Sequence, residues 1–218
     1  MSDLMSDMTQ YGPGFIESAW TVLIITLATI ILSWICGLVA VLGKTSRFST
    51  LRQICTFYIW FTRGTPALIQ VFIIYFGIPQ FGLHLSPFVA GVVALGINSG
   101  AYVSEIIRGG LKAIPIGQME SSQALGMRHS ETMVRIIFPQ VFRIVLPPLT
   151  NEAIATLKNT SLLSTITVID ITLYTQTVIA STFRPFQFYI AASVVYLVLT
   201  SILSQLSAWL ERREALQN

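Results

Sequence analysis

Apolar residues run almost unbroken through five stretches of the chain, each about as long as the 20 or so residues that a helix needs to cross a bilayer. Residues 19–43 carry no charge, and residues 188–210 are equally clean. Residues 54–78 qualify apart from the interruption Arg63-Gly64-Thr65-Pro66. Residues 88–107 hold Glu105 near their end, and residues 144–169 are the weakest stretch, carrying Glu152 and Lys158. The pattern predicts an all-α, polytopic membrane protein with five transmembrane helices in one domain spanning residues 1–218. Between the third and fourth spans, residues 115–139 read as two short helices about a turn. There Gly126 suits a left-handed residue closing the first helix, Ser130 serves as N-cap of the second, and Pro139 ends it.

Composition strengthens this reading. The chain is 53% hydrophobic and only 11% charged, with mean hydropathy +0.70. A soluble domain is about a quarter charged, so this one would expose too much apolar surface to water. Cys36 and Cys55 sit in or beside apolar stretches and suggest packing, not a disulfide framework. Residues 1–17 are acidic and lack a basic leader, so no cleavable signal peptide is expected. Gly96 with Gly100, and Ser33 with Gly37, are small-residue pairs of the kind that let membrane helices approach closely.

Charge then orients the spans. Ten of the thirteen basic residues fall in the first and third connections or the tail, and Arg184 alone falls on the other side, with Arg63 and Lys158 inside spans. The positive-inside rule predicts an external N-terminus and a cytoplasmic C-terminus, which agrees with an odd number of spans. The net charge of +3 therefore reports topology, and no nucleic-acid partner is expected.

The cytoplasmic loop reads Gly117-Gln118-Met119-Glu120-Ser121-Ser122-Gln123-Ala124-Leu125-Gly126 and continues to Ile137-Phe138-Pro139-Gln140 and Leu146-Pro147. Its basic, amphipathic character alone fits a helix pair resting on headgroups. It also resembles the EAA loop of binding-protein-dependent ABC importer permeases. Three further blocks lie in that family's order. Arg63-Gly64-Thr65-Pro66-Ala67-Leu68-Ile69-Gln70 looks like the arginine-glycine-threonine-proline motif of the polar amino acid subfamily. The segments beginning Ala101-Tyr102-Val103-Ser104-Glu105 and Leu157-Lys158-Asn159-Thr160-Ser161 are similar to two others. The family's Glu-Ala-Ala reads Glu120-Ser121-Ser122 here, a change to residues still small enough for a helix-in-groove contact.

The resemblance implies a type I ABC importer permease in a bacterial inner membrane. Glu120, Ser121, Ser122, Ala124, Leu125 and Gly126 would couple to an ABC ATPase subunit that carries the ATP and Mg²⁺, leaving this chain without a cofactor. It also implies an extracytoplasmic amino-acid-binding protein and a second permease copy or a paralogue. The cargo would be a polar amino acid or a relative such as an opine or cystine.

Ionisable residues inside spans cost about 3 kcal/mol each on insertion scales, so they face a cavity or a partner. A zwitterion needs donors for its carboxylate and acceptors for its ammonium. Lys158, Thr160 and Ser161 fit the first need, and Asn98, Glu105 and Asn159 the second. Tyr102 falls within one of these blocks, and Ser164 adds to the polar neighbourhood of Lys158. Arg63, Gly64, Thr65 and Pro66 interrupt the second span as a kink or gate.

Other chemistries find less support. Gly43-Lys44-Thr45 has leucine where a phosphate loop needs its first glycine, so ATP hydrolysis is expected on another chain. His84 and His129 show neither metal-ligand spacing nor a nucleophile motif, so no metal is expected. A membrane-embedded enzyme would want a close carboxylate pair, and a secondary carrier or channel would show inverted repeats and need no docking loop.

Overall fold

The structure, a computed structural model, describes residues 2–215 and is helical throughout them apart from short connections. In order these are α1 (Ser2–Lys44), α2 (Ser49–Gly64), α3 (Ala67–Phe72), α4 (Pro87–Ala113), α5 (Ile116–Ala124), α6 (His129–Thr132), α7 (Phe138–Asn159), α8 (Ile171–Thr182) and α9 (Pro185–Ala215). Among the described residues, four helical runs are long and apolar enough to cross a membrane: Thr9–Lys44, Pro87–Ala113, His129–Ile166 and Pro185–Arg213. A fifth candidate is a bent pair, Ser49–Gly64 with Ala67–Phe81, whose axis turns by 114° at the break.

α1 and α4 run parallel and form the centre. Leu32 lies at Gly96, Cys36 at Gly100, Gly37 at Val103, and Lys44 reaches Glu105. The two small-residue pairs thus face each other across one seam, where the missing side chains let the backbones close. α7 packs on α4 in the opposite direction, with Val145 at Gly110, Glu152 at Ser99 and Leu163, just beyond α7, at Gly91. One buried cluster gathers Ile25, Val71, Ala94, Leu163 and Ile166; a second gathers Phe15, Val22, Leu157, Ile171 and Phe188.

Three sequence expectations change. The second span, 54–78, is not one rod. Thr65 (φ −120°, ψ 146°) and Pro66 (φ −62°, ψ 137°) are both extended, since proline bars its predecessor from the helical region. The carbonyls freed there are not abandoned. Gln70 Nε2 donates to Thr62 O (2.8 Å), Thr65 O (3.2 Å) and Thr65 Oγ1 (2.8 Å).

Second, Pro139 does not end a helix. A π-helical turn, Met133–Ile137, precedes it, and the Phe138 N–H reaches Met133 O across five residues. That wider turn accommodates the proline ring, so α6 runs on into α7, and the fourth span, expected over 144–169, is the longer run His129–Ile166. The helix start lies at Arg128, not Ser130, with Glu131 Oε2 accepting weakly from the Arg128 N–H (3.5 Å).

Third, residues 170–187, read as a connection, contain α8. Asp170 Oδ1 accepts from the Leu173 N–H (2.8 Å) as N-cap, and Phe183 closes the helix at φ 56°.

Candidate functional site

The residues singled out from the sequence fall into four places. At mid-height in the central helices, Asn98 Nδ2 donates to Gln70 Oε1 (3.1 Å), so Asn98 is tied to the residue that staples the broken span. One residue further along α4, Ser99 Oγ donates to Glu152 Oε1 (2.8 Å), and Thr156 Oγ1 donates to Ser99 Oγ (3.2 Å). Glu152 is partly buried, and no base pairs with it among the described residues. A carboxylate held at that depth by one hydroxyl retains acceptor capacity for a cation. Neither Glu152 nor Gln70 stands out among the sequence-derived site residues. The available signal is the acid in the least apolar span.

The run 158–164 lies beyond this level on α7 and the 3₁₀ segment Thr160–Ile166. Thr160, Ser161 and Ser164 each donate back within the segment, to Leu157 O, Lys158 O and Ser161 O, all at 2.8 Å. This satisfies hydroxyls at membrane depth and uses the protons that a substrate carboxylate would need. Lys158 is exposed and Asn159 partly buried, so their amino and amide groups are the open donors of the run.

Glu105 belongs to neither group. Its carboxylate accepts from Lys44 Nζ (2.7 Å) and from Arg108 Nε (3.0 Å) and Nη2, with Arg63 Nη1 at 3.8 Å. Its side chain is 15% exposed. Arg63 also stacks over the Tyr102 ring at 5.4 Å. Tyr102, Glu105 and Arg63 therefore form an ion-pair cluster joining the ends of α1 and α2 to α4. Three bases already compensate the acid, which leaves it a poor receptor for an ammonium.

The fourth place is the α5–α6 elbow. Ser122 Oγ donates to Gln118 O (2.6 Å) and is buried, while Met119 packs on Ile137 and Val141 at the foot of α7. Glu120, Ser121, Ala124 and Leu125 point outward, Leu125 being 81% exposed. Gly126 adopts φ 76°, its N–H bonding Gln123 O (2.9 Å) while the Met127 N–H bonds Ser122 O (3.1 Å). That pair of bonds is the Schellman closure, which a left-handed residue permits.

A cavity of about 500 Å³ lies elsewhere, between α1, the start of α4 and residues 167–169. It is lined by Glu17, Ser18, Thr21, Phe88 and Tyr174 among others, and contains none of the sequence-predicted residues. No group of three or more metal-ligating side chains occurs among the described residues.

Residues 29–215 match the family described as binding-protein-dependent transport system inner membrane component. The chain is 37% identical to the L-cystine transport system permease protein TcyB of Bacillus subtilis, over 87% of this chain and 81% of that one. It is 38% identical to the glutamine transport system permease protein GlnP of Escherichia coli K12, over 92% and 93%. A crystal structure of an amino acid ABC transporter with histidines superposes with a TM-score of 0.90 at 39% identity, covering 95% of this chain and 97% of that one. The MetNI methionine ABC transporter shares the fold, with a TM-score of 0.73 at 15% identity over 92% and 95%.

Proposed function

The chain belongs to the family of binding-protein-dependent transport system inner membrane components, and from that premise we propose how it carries a polar amino acid across the membrane. It is a multi-pass permease subunit of an ABC amino acid importer, and it is not an enzyme. The cargo reading draws on relatives that are named for glutamine and cystine. On this chain it rests on one observation: Glu152, at mid-height between α4 and α7, keeps its carboxylate free of any base among the described residues.

A polar amino acid crossing such a path presents one ammonium and one carboxylate. Lys158 lies six residues beyond Glu152, about 9 Å along the helix. Its exposed ammonium draws the carboxylate first, and Glu152 with Ser99 then receives the ammonium. Asn98, Tyr102, Asn159 and Ser164 bound the path without supplying charge.

A delivering protein outside and a pair of ATPase subunits inside, carrying ATP and Mg²⁺, complete the assembly, together with a second copy or a paralogue. The N-terminus lies outside. Consistent with that, Arg184 of the fourth connection pairs with Asp7 of the N-terminal segment at 2.8 Å, so the two are on one side. The elbow's outward edge, Glu120, Ser121, Ala124 and Leu125, docks in a cleft of the ATPase, with Ser122 turned inward as packing.

Uptake into vesicles bearing the full complex tests this reading. Glu152→Gln and Lys158→Ala, at matched expression, should each reduce uptake at least tenfold while receptor-independent ATP hydrolysis persists. Unchanged affinity and rate in both variants would remove them from the path. Uptake that continues without ATP would instead establish a secondary carrier.

A further inference from the structure

We propose that α2 does not cross the bilayer but lies in its surface as an interfacial helix that binds anionic phospholipid headgroups. The proposal goes beyond the transport reading and draws on it only for which leaflet is involved.

Glu105 provides the first argument. It bonds Lys44, five residues before α2, and lies 3.8 Å from Arg63 in the last turn of α2. A helix of 16 residues is about 24 Å long, yet this one begins and ends close to the same level of α4. Intermediate contacts add that Tyr58 Oη donates to Ile97 O (2.6 Å) and Arg63 covers Tyr102, so α2 does not run back along α4 as an outward-crossing span would. Only after the 114° bend does the chain turn back, with Gln70 at Asn98 and Val71 beside Ala90 and Ala94. The crossing is made by α3 and its continuation to Phe81.

The faces of α2 provide the second. At 100° per residue, Cys55, Ile59 and Thr62 form a buried stripe against α1 and α4. Leu51, Ile54, Phe57 and Phe61 form an exposed apolar face on one side of it. Ser49, Arg52, Gln53, Thr56 and Arg63 form a polar face on the other, broken by Trp60. Three such faces suit protein, acyl chains and water at an interface. A crossing helix would leave the polar face in hydrocarbon.

Charge names the occupant. Residues 44–64 hold four bases and no acid. Lys44 and Arg63 are engaged with Glu105, but Arg47 and Arg52 are exposed and without an acidic partner among the described residues. Such bases beside an apolar face attract lipid phosphates, at about fivefold in local enrichment per base.

The experiment uses the complete transporter in vesicles of phosphatidylcholine with phosphatidylglycerol. Nitroxide labels at Leu51 and Phe61, in a chain with Cys36 and Cys55 replaced by alanine, report depth by power saturation. Depths within about 5 Å of each other, near the headgroups, are expected. A difference near the 15 Å that ten helical residues would span overturns the proposal. So does shielding of both labels from oxygen and from a nickel complex, which would place a second copy on this face. Independently, native mass spectrometry of the unlabelled complex should find less retained phosphatidylglycerol in the Arg47→Gln/Arg52→Gln variant. Equal retention also overturns it. Neither readout requires transport, so failure here is distinct from failure of the cargo assignment.

Discussion

Gly100→Ala probes the α1–α4 seam on which the arrangement rests. A methyl at that position would lie 2.6 Å from Cys36 Cβ, 3.0 Å from Tyr58 Oη and 3.2 Å from Ser33 O. Two of these neighbours, a Cβ and a backbone carbonyl, cannot swing aside. Relief requires α1 and α4 to separate by about 1 Å, since apolar carbons are comfortable only near 3.5–4.0 Å. Overpacking of this kind costs about 1–3 kcal/mol. Displacing Tyr58 from Ile97 O adds roughly 1 kcal/mol, and replacing a helical glycine by alanine returns about as much. The net loss of about 1–3 kcal/mol corresponds to a drop in melting temperature of roughly 3–10 °C for a chain of this size. Gly109→Ala is the internal control, because Gly109 lies in the same helix with nothing within 4 Å of the added methyl. Melting of the purified complex, followed by tryptophan fluorescence, should separate the two variants. If Gly100→Ala melts at or above Gly109→Ala, the close parallel approach of α1 and α4 is refuted.

Gln70→Leu should destabilise by about 1–3 kcal/mol, because it orphans the buried Asn98 amide and the Thr62 carbonyl. Combined with Asn98→Leu it should cost less than the sum, and strict additivity in a melting cycle would deny the contact. Gly126→Asp, at a left-handed φ of 76°, should strain the elbow by about 1–2 kcal/mol. It should leave ATP hydrolysis running without uptake, and normal coupling would refute the docking assignment. Burial pushes the carboxyl of Asp170 above its ordinary value, so the folded chain holds that proton more tightly than the unfolded one. Its contribution is then fully present below about pH 4 and is lost as pH rises through the raised value. Asp170→Asn keeps the cap to Leu173 and removes that loss, so its stability relative to wild type should grow from pH 4 to pH 8. Parallel stability curves would contradict this.

The long helices were legible because an apolar run of 20 residues has few other fates, and Gly126 because a left-handed turn needs glycine. What escaped reading depends on partners far away in the chain. Arg63-Gly64-Thr65-Pro66 announces a break, but its direction is set by Gln70 and, beyond it, by Asn98. Pro139 looks like a terminus because its tolerance rests on a π turn that no residue pattern declares. α8 was hidden in a threonine-rich stretch lacking charged periodicity, although Asp170 stands as its N-cap. Glu105 reads as a polar group awaiting substrate until Lys44, 61 residues earlier, is seen beside it.

That last correction reorganises the site. Four ionisable residues sit within the expected spans, and the structure divides them. Arg63 and Glu105 belong to the cluster at the ends of α1, α2 and α4, where Lys44 and Arg108 bond the acid and the charges serve the fold. Glu152 and Lys158 are left without counter-ions among the described residues, both on α7. The same helix continues the run that begins at His129, so the second arm of the elbow and Glu152 lie on one helical element, with His129 and Glu152 23 residues or about 35 Å apart. Pro147 and Pro148 fall between them, removing two ladder donors five and four residues before Glu152. A push at the elbow is thus carried by an unbroken helix to a point where it bends most easily, just short of the free carboxylate. On the proposed mechanism, the docking edge on α5 turns at Gly126 into the run that holds the cargo's charge, so the elbow, with Met119 packed on the foot of α7, is the relay between them.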